Sequence, residues 1–194
     1  MKAAKRRRRW GFVGAGVAIV AVAGVVLGLH FANRSSETAT TPAVVPAADH
    51  PAPGGTFTTL AGQTVNVASL GGQPTLLWFV ATWCSSCKAG TQLLAANIAK
   101  FQADGVRVDE VELYQDLGQS GPSIGAFAKA LAGTEYGNPD WTFGMSSAAL
   151  TRTYDPQSYI EIYYLLNAKG QITYVNAPLV STMPQLLRAA RRLR

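Results

Sequence analysis

Cys84 and Cys87 are the two cysteines of the chain, and they stand three positions apart. They follow the apolar run LLWFVATW, so that Trp83 immediately precedes the first of them. Cysteines at this spacing serve as half of a metal site, as a structural disulfide or as a redox-active pair. The elements that position the pair decide among these three chemistries.

The pair is predicted to lie where a strand gives way to a helix. Residues 74–81 form an unbroken apolar run, typical of a strand buried on both faces, and residues 87–105 show helical spacing. A thiolate at the start of a helix is stabilised by unpaired N–H groups and by the positive end of the helix dipole. We therefore expect Cys84 to attack a partner disulfide, and the more shielded Cys87 to resolve the mixed disulfide.

The other two chemistries are less well supported. A structural zinc site needs four ligands, but residues 56–194 contain no third cysteine and no histidine, and His50 precedes them. A disulfide that closes so small a loop removes little chain entropy and leaves the adjacent Trp83 unexplained. The sequence therefore favours a redox pair, with no metal and no cofactor.

Charge and composition limit the partners of the chain. With 194 residues, 48% of them hydrophobic, it can form one domain with a sizeable core. The net charge of +6 is concentrated at the N-terminus, where residues 1–9 hold six Lys/Arg and no acid. Residues 54–194 hold ten Lys/Arg against nine Asp/Glu, a net charge of +1. Nucleic-acid binding by the folded part is therefore not expected.

Residues 10–32 are apolar and are predicted to be a membrane anchor. As a helix they would measure about 34 Å, long enough to cross a bilayer. Because Lys and Arg flank only the N-terminal side, Met1 is expected in the cytoplasm and the rest of the chain outside it. Ala21 and Ala23 form a weak cleavage pattern, but the run exceeds the usual length of a signal peptide. An uncleaved anchor is the preferred interpretation.

The predicted organisation has four parts: a cytoplasmic basic segment (1–9), the anchor (10–32), a linker rich in Pro, Ala and Thr (33–55) and a folded domain (56–194). In the domain, alternating and helical patterns predict an α/β fold with a mostly parallel central sheet and helices on both faces. The predicted elements are hairpins at 56–70 and 160–175, a strand at 106–113 and helices at 121–133, 146–154 and 181–194, with a loop at 136–144.

The domain resembles the TlpA/ResA-type thioredoxin-like proteins of the AhpC/TSA–Redoxin-like superfamily. The resemblance rests on the N-terminal hairpin, the Gly-Gly-Gln-Pro lead-in, the Ala-Thr-Trp-Cys-x-x-Cys motif and the later segments RTYD and LLNAKGQI. It implies a thioredoxin-like fold and a membrane-anchored, extracytoplasmic thiol–disulfide oxidoreductase. It also implies action on cell-envelope proteins, for example on haem-attachment cysteines in cytochrome c biogenesis or on copper-site cysteines. A membrane electron donor of the thiol-transporter type would supply the electrons.

The chain departs from this family beside the cysteines. Where family members usually have a cis-proline, this chain has Ile160-Glu161-Ile162. Where they usually have two acidic residues, it has Trp78 and Gly90. A proline that often kinks the active-site helix is replaced by Gln92.

The predicted neighbours of the pair are Trp83, Ser85, Ser86 and Glu161. If Glu161 faces the cysteines, its charge disfavours the thiolate and favours the disulfide, which makes the dithiol a better reductant. If it points to solvent at a sheet edge, it has no such effect.

Two other functions remain open. The segment IEIYYLLNAKGQI is also similar to a strand of Sco/SenC copper-delivery proteins, which bind copper through C-x-x-x-C and a histidine. This chain has C-x-x-C, and Tyr159 stands in the histidine slot, but two thiolates can still hold Cu(I). The third possibility is a binding module whose disulfide is never turned over. Metal titration of the reduced protein and insulin reduction, lost in Cys84→Ser, distinguish these functions.

Overall fold

The computed structural model describes residues 48–194, so the predicted basic segment, the anchor and most of the linker lie outside the described residues. Within that range no helix is long and apolar enough to span a bilayer. The strands are β1 (Thr56–Thr59), β2 (Thr64–Asn66), β3 (Thr75–Val80), β4 (Arg107–Glu112), β5 (Trp141–Ser146), β6 (Ile162–Leu166) and β7 (Ile172–Asn176). The helices are α1 (Ser85–Ala95), α2 (Ile98–Ala103), α3 (Ile124–Leu131), α4 (Ala148–Tyr154) and α5 (Leu179–Arg191).

The strands form one seven-stranded sheet in the order β2-β1-β5-β4-β3-β6-β7. Only the β3–β4 and β4–β5 pairs are parallel, and the other four neighbouring pairs are antiparallel. The prediction of an α/β fold is therefore confirmed, but the prediction of a mostly parallel sheet is wrong. The sheet is mixed.

The connections explain why the sheet is mixed. A parallel pair needs a long crossover, which α1 and α2 provide between β3 and β4, and α3 provides between β4 and β5. Helix α4 has only seven residues. The chain then enters β6 beside the end of β3, where Ile162 pairs with Phe79, and runs antiparallel to it. The two hairpins supply the β1–β2 and β6–β7 pairs, and the first hairpin joins the sheet through the antiparallel β1–β5 pair.

Two further predictions fail locally. Residues 136–144 were expected to be a loop, but β5 begins at Trp141 and lies between β4 and β1. The single helix expected over 87–105 is interrupted between α1 and α2, where the Asn97 side chain donates to the Leu93 carbonyl at 2.8 Å. A side chain that bonds nearby backbone in this way competes with the helix, which explains the break.

The sheet has a hydrophobic cluster on each face. All six residues of β3 are buried, as the unbroken apolar run predicted. Trp78 and the two cysteines belong to the cluster on the face covered by α1, α3 and α5. Phe79 and Tyr154 belong to the cluster on the opposite face, with α4. Because both faces are covered, β3 is a rigid platform for the cysteines that follow it.

The chain preceding β1 packs along β7. The Asp49 amide donates to the Ile172 carbonyl at 2.6 Å, and the Ile172 amide donates to the His50 carbonyl at 2.9 Å. The Ala52 amide donates to the Gly170 carbonyl at 2.9 Å. These bonds cover part of an edge strand whose unpaired groups would otherwise be open to solvent. The last residues of the predicted linker are thus ordered on the domain.

Candidate active site

Cys84 occupies the N-cap position of α1. Its backbone is extended (φ −73°, ψ 126°), and its Sγ accepts a hydrogen bond from the Cys87 amide at 3.1 Å. The Ser86 hydroxyl lies 3.1 Å from the same sulfur. Cys84 is 7% exposed, whereas Ser85 and Ser86 are open to solvent. At the start of the helix the sulfur thus meets one backbone amide and one hydroxyl group.

Cys87 lies beneath Cys84 and is fully buried. Its Sγ donates to the Ile160 carbonyl at 3.7 Å. Burial raises the pKa of the Cys87 thiol well above its ordinary value, and its hydrogen bond with Cys84 and the charges of Cys84 and Glu161 raise it further. Both thiols are free. The pair therefore combines a cysteine that keeps a small exposed fraction with a fully buried one whose thiol stays protonated.

Glu161 lies against the two cysteines and not at a solvent-facing edge. It is 3% exposed, and its Oε1 accepts a hydrogen bond from the Leu179 amide, at the start of α5, at 2.8 Å. One carboxylate oxygen and the two Sγ atoms all lie within 4.8 Å of one another. The other oxygen, Oε2, is buried and has no hydrogen-bond partner among the described residues.

Glu161 lies beside Gly90, one of the two positions where the family usually has an acidic residue. A Cβ at Gly90 would lie 2.7 Å from the Trp78 indole and 3.5 Å from Glu161 Oε1. Position 90 must therefore be glycine because Trp78 fills the space above it. A carboxylate is thus present at this point of the site, but it comes from the residue before β6 and not from the active-site helix.

Asp116 holds the loop that leads into Cys84. Its Oδ1 accepts from the Thr82 amide at 2.8 Å, and its Oδ2 accepts from the Thr82 hydroxyl at 2.6 Å. The Trp83 indole donates to the Asp116 carbonyl at 2.9 Å. Asp116 is buried, and a Cβ at Gly121 would lie 2.1 Å from Thr82 Oγ1, so the segment packs tightly against the loop.

Asp116 reaches the loop from a left-handed turn, residues 115–117. Gln115, Asp116 and Leu117 have φ values of 49°, 51° and 57°. Non-glycine residues in this region cost about 1–3 kcal/mol each and persist only where other contacts fix them. Here those contacts are the bonds to Thr82 and Trp83.

A buried acid also stands below the site on β4. Glu110 pairs in register with Trp78, so it lies at the same height on the neighbouring strand. Thr91 Oγ1 lies 2.7 Å from Glu110 Oε1 and 3.0 Å from the Cys87 carbonyl. Burial raises the pKa of Glu110 to about 8, and its hydrogen bond with Thr91 lowers it only in part. Since the threonine has one hydroxyl proton for two acceptors, a neutral Glu110 that donates to it satisfies both contacts.

The loop before β6 replaces the usual proline segment. Buried Asp155 accepts from the Tyr159 amide at 2.7 Å and from the Ile160 amide at 3.3 Å. Ser158 and Ile160 have φ values of 54° and 71°, and this conformation directs the Ile160 carbonyl at Cys87. Among the described peptide bonds the cis one is Ala177–Pro178, outside this segment. Tyr159 is 52% exposed beside the site.

Comparison with known proteins agrees with this geometry. Residues 48–128 match the model of the AhpC/TSA family. None of the curated protein sequences matches the chain. A solved structure described as the thiol:disulfide interchange protein DsbE of Chlorobium tepidum is 19% identical with a TM-score of 0.56, over 75% of this chain and 99% of the other.

Two further solved structures are similar. A secreted Mycobacterium tuberculosis disulfide oxidoreductase homologous to E. coli DsbE is 24% identical with a TM-score of 0.52, over 71% of this chain and 95% of the other. Copper-bound ScoI of Arabidopsis thaliana is 16% identical with a TM-score of 0.52, over 72% and 98%.

The fold is thioredoxin-like. The predicted resemblance to TlpA/ResA-type thioredoxin-like proteins is confirmed. The family match and the structural neighbours, together with the Cys84-x-x-Cys87 pair, support thiol–disulfide oxidoreductase activity, as the sequence predicted.

The thioredoxin-like domain brings together the residues that the sequence singled out. Trp83, Ser86 and Glu161 each contact the pair or the loop that carries it, while Ser85 faces solvent. Sequence reasoning missed Asp116 and Glu110. The strand pattern alone could have drawn attention to Glu110, which stands at a position of β4 where an apolar side chain is expected.

Proposed function

We propose that the protein is an extracytoplasmic thiol–disulfide oxidoreductase that reduces or exchanges disulfides in cell-envelope proteins. The observation that carries this proposal is the division between the two sulfurs. Cys84 caps a helix and keeps 7% exposure, and its Sγ accepts from an amide, whereas Cys87 is fully buried. A metal half-site or a structural bridge does not require one reactive and one shielded sulfur, whereas two-step exchange does.

The first step of the reaction uses Cys84. Its thiolate attacks one sulfur of a partner disulfide, a mixed disulfide forms, and the other partner sulfur leaves as a thiolate that takes a proton. In the second step the Cys87 sulfur attacks Cys84 Sγ, which breaks the mixed disulfide. The proton of Cys87 goes to the departing partner thiolate. The partner thus gains two electrons and two protons, and the pair becomes a disulfide.

The contacts around the pair support the reducing direction. In the reduced state the thiolate and the Glu161 carboxylate are held within 4.8 Å of each other, so their charges repel. Disulfide formation removes the thiolate and with it the repulsion. Destabilising the reduced state makes the dithiol the better electron donor. Regeneration then requires a donor, for which a membrane thiol transporter is the candidate that the family resemblance implies.

The location of the domain is part of the proposal and rests on the sequence. The cationic segment 1–9 and the apolar run 10–32 favour a domain held outside the cytoplasmic membrane by an uncleaved anchor. An oxidising compartment suits a protein whose two cysteines form a redox pair. Apocytochrome c and copper-site proteins are the substrate classes to test first.

The decisive experiment uses the full chain in mild detergent. Insulin reduction by the wild type should be abolished in Cys84→Ser, whereas Cys87→Ser should accumulate mixed disulfides with envelope proteins that mass spectrometry can identify. Ser85→Ala is the matched control, since Ser85 faces solvent, and it should retain activity. Iodoacetamide should label Cys84 before Cys87. Equal labelling of the two thiols, or insulin reduction that survives Cys84→Ser, would contradict the proposal.

A further inference from the structure

The carboxylate of Glu161 converts the cysteine pair into a three-donor cluster. One carboxylate oxygen and the two Sγ atoms lie within 4.8 Å of one another, and all three side chains are buried. The cysteines and histidines of the domain are too few for a zinc site, and Glu161, the residue before β6, adds an oxygen donor. We propose that the reduced protein binds one divalent zinc-group cation through Cys84, Cys87 and Glu161.

An independent observation points to a ligand at this place. Glu161 Oε2 is buried and has no hydrogen-bond partner among residues 48–194, although Oε1 is fixed by the Leu179 amide. A buried carboxylate oxygen without a partner is costly, and such an atom in a folded protein calls for an ion, a water molecule or a strain to account for it. No lysine or arginine within residues 48–194 forms an ion pair with Glu161. A cation between the carboxylate and the sulfurs would supply the missing partner.

The donor distances suit a small tetrahedral ion. Zinc bonds sulfur at about 2.3 Å and carboxylate oxygen at about 2.0–2.2 Å, so its tetrahedral donors lie about 3.6–3.8 Å apart. The three donors here are at most 4.8 Å apart, so inward shifts of about an ångström would form the site. Leu179 anchors the carboxylate and the start of α1 anchors Cys84. The fourth position stays open towards the exposed side of Cys84, for water or a ligand.

The donor set favours a divalent ion over Cu(I). Thiolates are soft ligands that suit both, but a carboxylate is a hard donor that adds nothing to a linear two-thiolate copper site. Two thiolates and a carboxylate carry three negative charges, which a 2+ ion offsets better than a 1+ ion. Binding requires both sulfurs in the thiolate form and therefore the reduced pair, because a disulfide has no thiolate to offer.

The test is a titration of the reduced full chain, free of small thiols, with Co²⁺ as a spectroscopic probe for Zn²⁺. We expect one equivalent of Co²⁺ to give thiolate-to-cobalt charge-transfer bands and the visible d–d bands of four-coordinate cobalt, and Zn²⁺ to displace it. Glu161→Gln should weaken Zn²⁺ binding by roughly 10–100-fold, a loss comparable with that of a hydrogen-bonded supporting ligand. Glu135→Gln, the same change away from the site, should leave the affinity unchanged.

Each result decides the proposal. It is overturned if reduced protein gives no charge-transfer band, if Glu161→Gln binds Zn²⁺ as tightly as the wild type, or if only Cu(I) binds. The site uses the same reduced dithiol as the proposed function, so insulin reduction is measured separately, in the presence of a chelator. Insulin reduction without metal binding would overturn the proposed cation site and leave the proposed function intact. Metal binding without insulin reduction would overturn the proposed function and leave the cation site intact. In the wild type, Zn²⁺ should inhibit insulin reduction at concentrations that leave Glu161→Gln active.

Discussion

Three acidic groups share one small volume at the active site: the thiols of Cys84 and Cys87 and the carboxyl group of Glu161. Their charges repel when more than one is ionised, and desolvation strengthens the repulsion. The protein can relieve it by keeping Cys87 protonated, by forming the disulfide or by binding a cation. Redox direction and metal affinity would therefore have one physical cause in this protein.

The closeness of Glu161 to the two sulfurs predicts that the carboxylate lowers the reduction potential of the pair. Glu161→Gln removes a negative charge beside the sulfurs, which stabilises the thiolate-bearing reduced state. The potential should therefore rise, by an amount of the order of 30 mV for each 1.4 kcal/mol of relief. Equilibration with glutathione under metal-free conditions measures it, with Glu135→Gln as the matched control. An unchanged potential would show that the carboxylate is a bystander.

Glu110 gives a second prediction, on stability against pH. Burial raises the pKa of Glu110 from 4.5 to about 8, so the folded state holds this proton more tightly than the unfolded state does. The stabilisation is complete below about pH 4.5 and is lost as the pH rises towards 8. The free energy of unfolding should therefore fall between these values.

Glu110→Gln tests this directly, because a neutral amide can donate to Thr91 as the protonated acid does. The variant should match the wild type near pH 4 and be more stable at pH 8, with a flatter profile. Urea unfolding of the full chain in mild detergent across this range is the measurement. Asp109 and Glu112, whose pKa values burial raises to about 6 and about 7, should leave a residual slope in the variant. A wild-type profile that rises with pH would refute the assignment.

At the residue level, the sequence predicts what depends on near neighbours in the chain. The spacing of Cys84 and Cys87, and the strand and helix on either side of them, were sufficient to divide the roles of the pair. Glu161 could be predicted as a neighbour of the cysteines because it lies in the segment where the family usually has a cis-proline. Glu110 depends on the register between β3 and β4, and Asp116 depends on a contact across 34 positions. The strand pattern could show that Glu110 is unusual for its position, but neither of these two contacts can be read from neighbouring residues.

At the level of elements, the left-handed turn and the loop before Cys84 support each other. The turn carries an intrinsic backbone cost, and Asp116 offsets it through hydrogen bonds to Thr82 and Trp83. A charged acceptor contributes more to such bonds than a neutral one. Asp116 is therefore a positioning residue, which fixes the start of α1 without touching the substrate.

Asp116→Ala should lower the free energy of unfolding by about 1–3 kcal/mol, because the buried Thr82 amide loses its acceptor. It should also slow iodoacetamide labelling of Cys84, since the helix start is no longer held. Asp116→Asn retains an acceptor for that amide and should restore most of the labelling rate. If both variants label at the wild-type rate while stability falls, Asp116 has only a structural role.

The prediction of elements succeeded where a single hydrophobic pattern covered the whole strand or helix. It failed where the structure of a segment depends on the strands that pair with it. The run that became β3 was unambiguous because all its residues are buried. β5 was missed because its residues have the composition of a loop. They form a strand because β4 and β1 pair with them on either side. The direction of β6 followed from the short α4, whose length does not carry the chain back across the sheet. A mixed sheet therefore could not be deduced from alternating strands and helices alone.

At the scale of the whole molecule, the sequence predicts a reactive domain held close to a membrane by residues 10–32. The Pro-, Ala- and Thr-rich linker that the sequence predicts would tether the domain to that segment. From Asp49 onwards the chain is bonded to β7, so the tether would end at that edge of the sheet. Such a tether would favour partners that are themselves in or near the membrane, because it raises their effective concentration.

The membrane anchor is testable without any knowledge of the substrate. The apolar run 10–32 lies beyond six cations and is long enough to span a bilayer, so the full chain should sediment with membranes. High salt and alkaline carbonate remove proteins held by charge or by partners, but they leave a spanning helix in place. Retention after both washes is therefore expected. Replacing two apolar residues of the run with lysine should release the protein, since each charge at the bilayer centre costs about 2.5–3.5 kcal/mol. Release of a shorter wild-type form would instead show that the segment is a cleaved signal peptide.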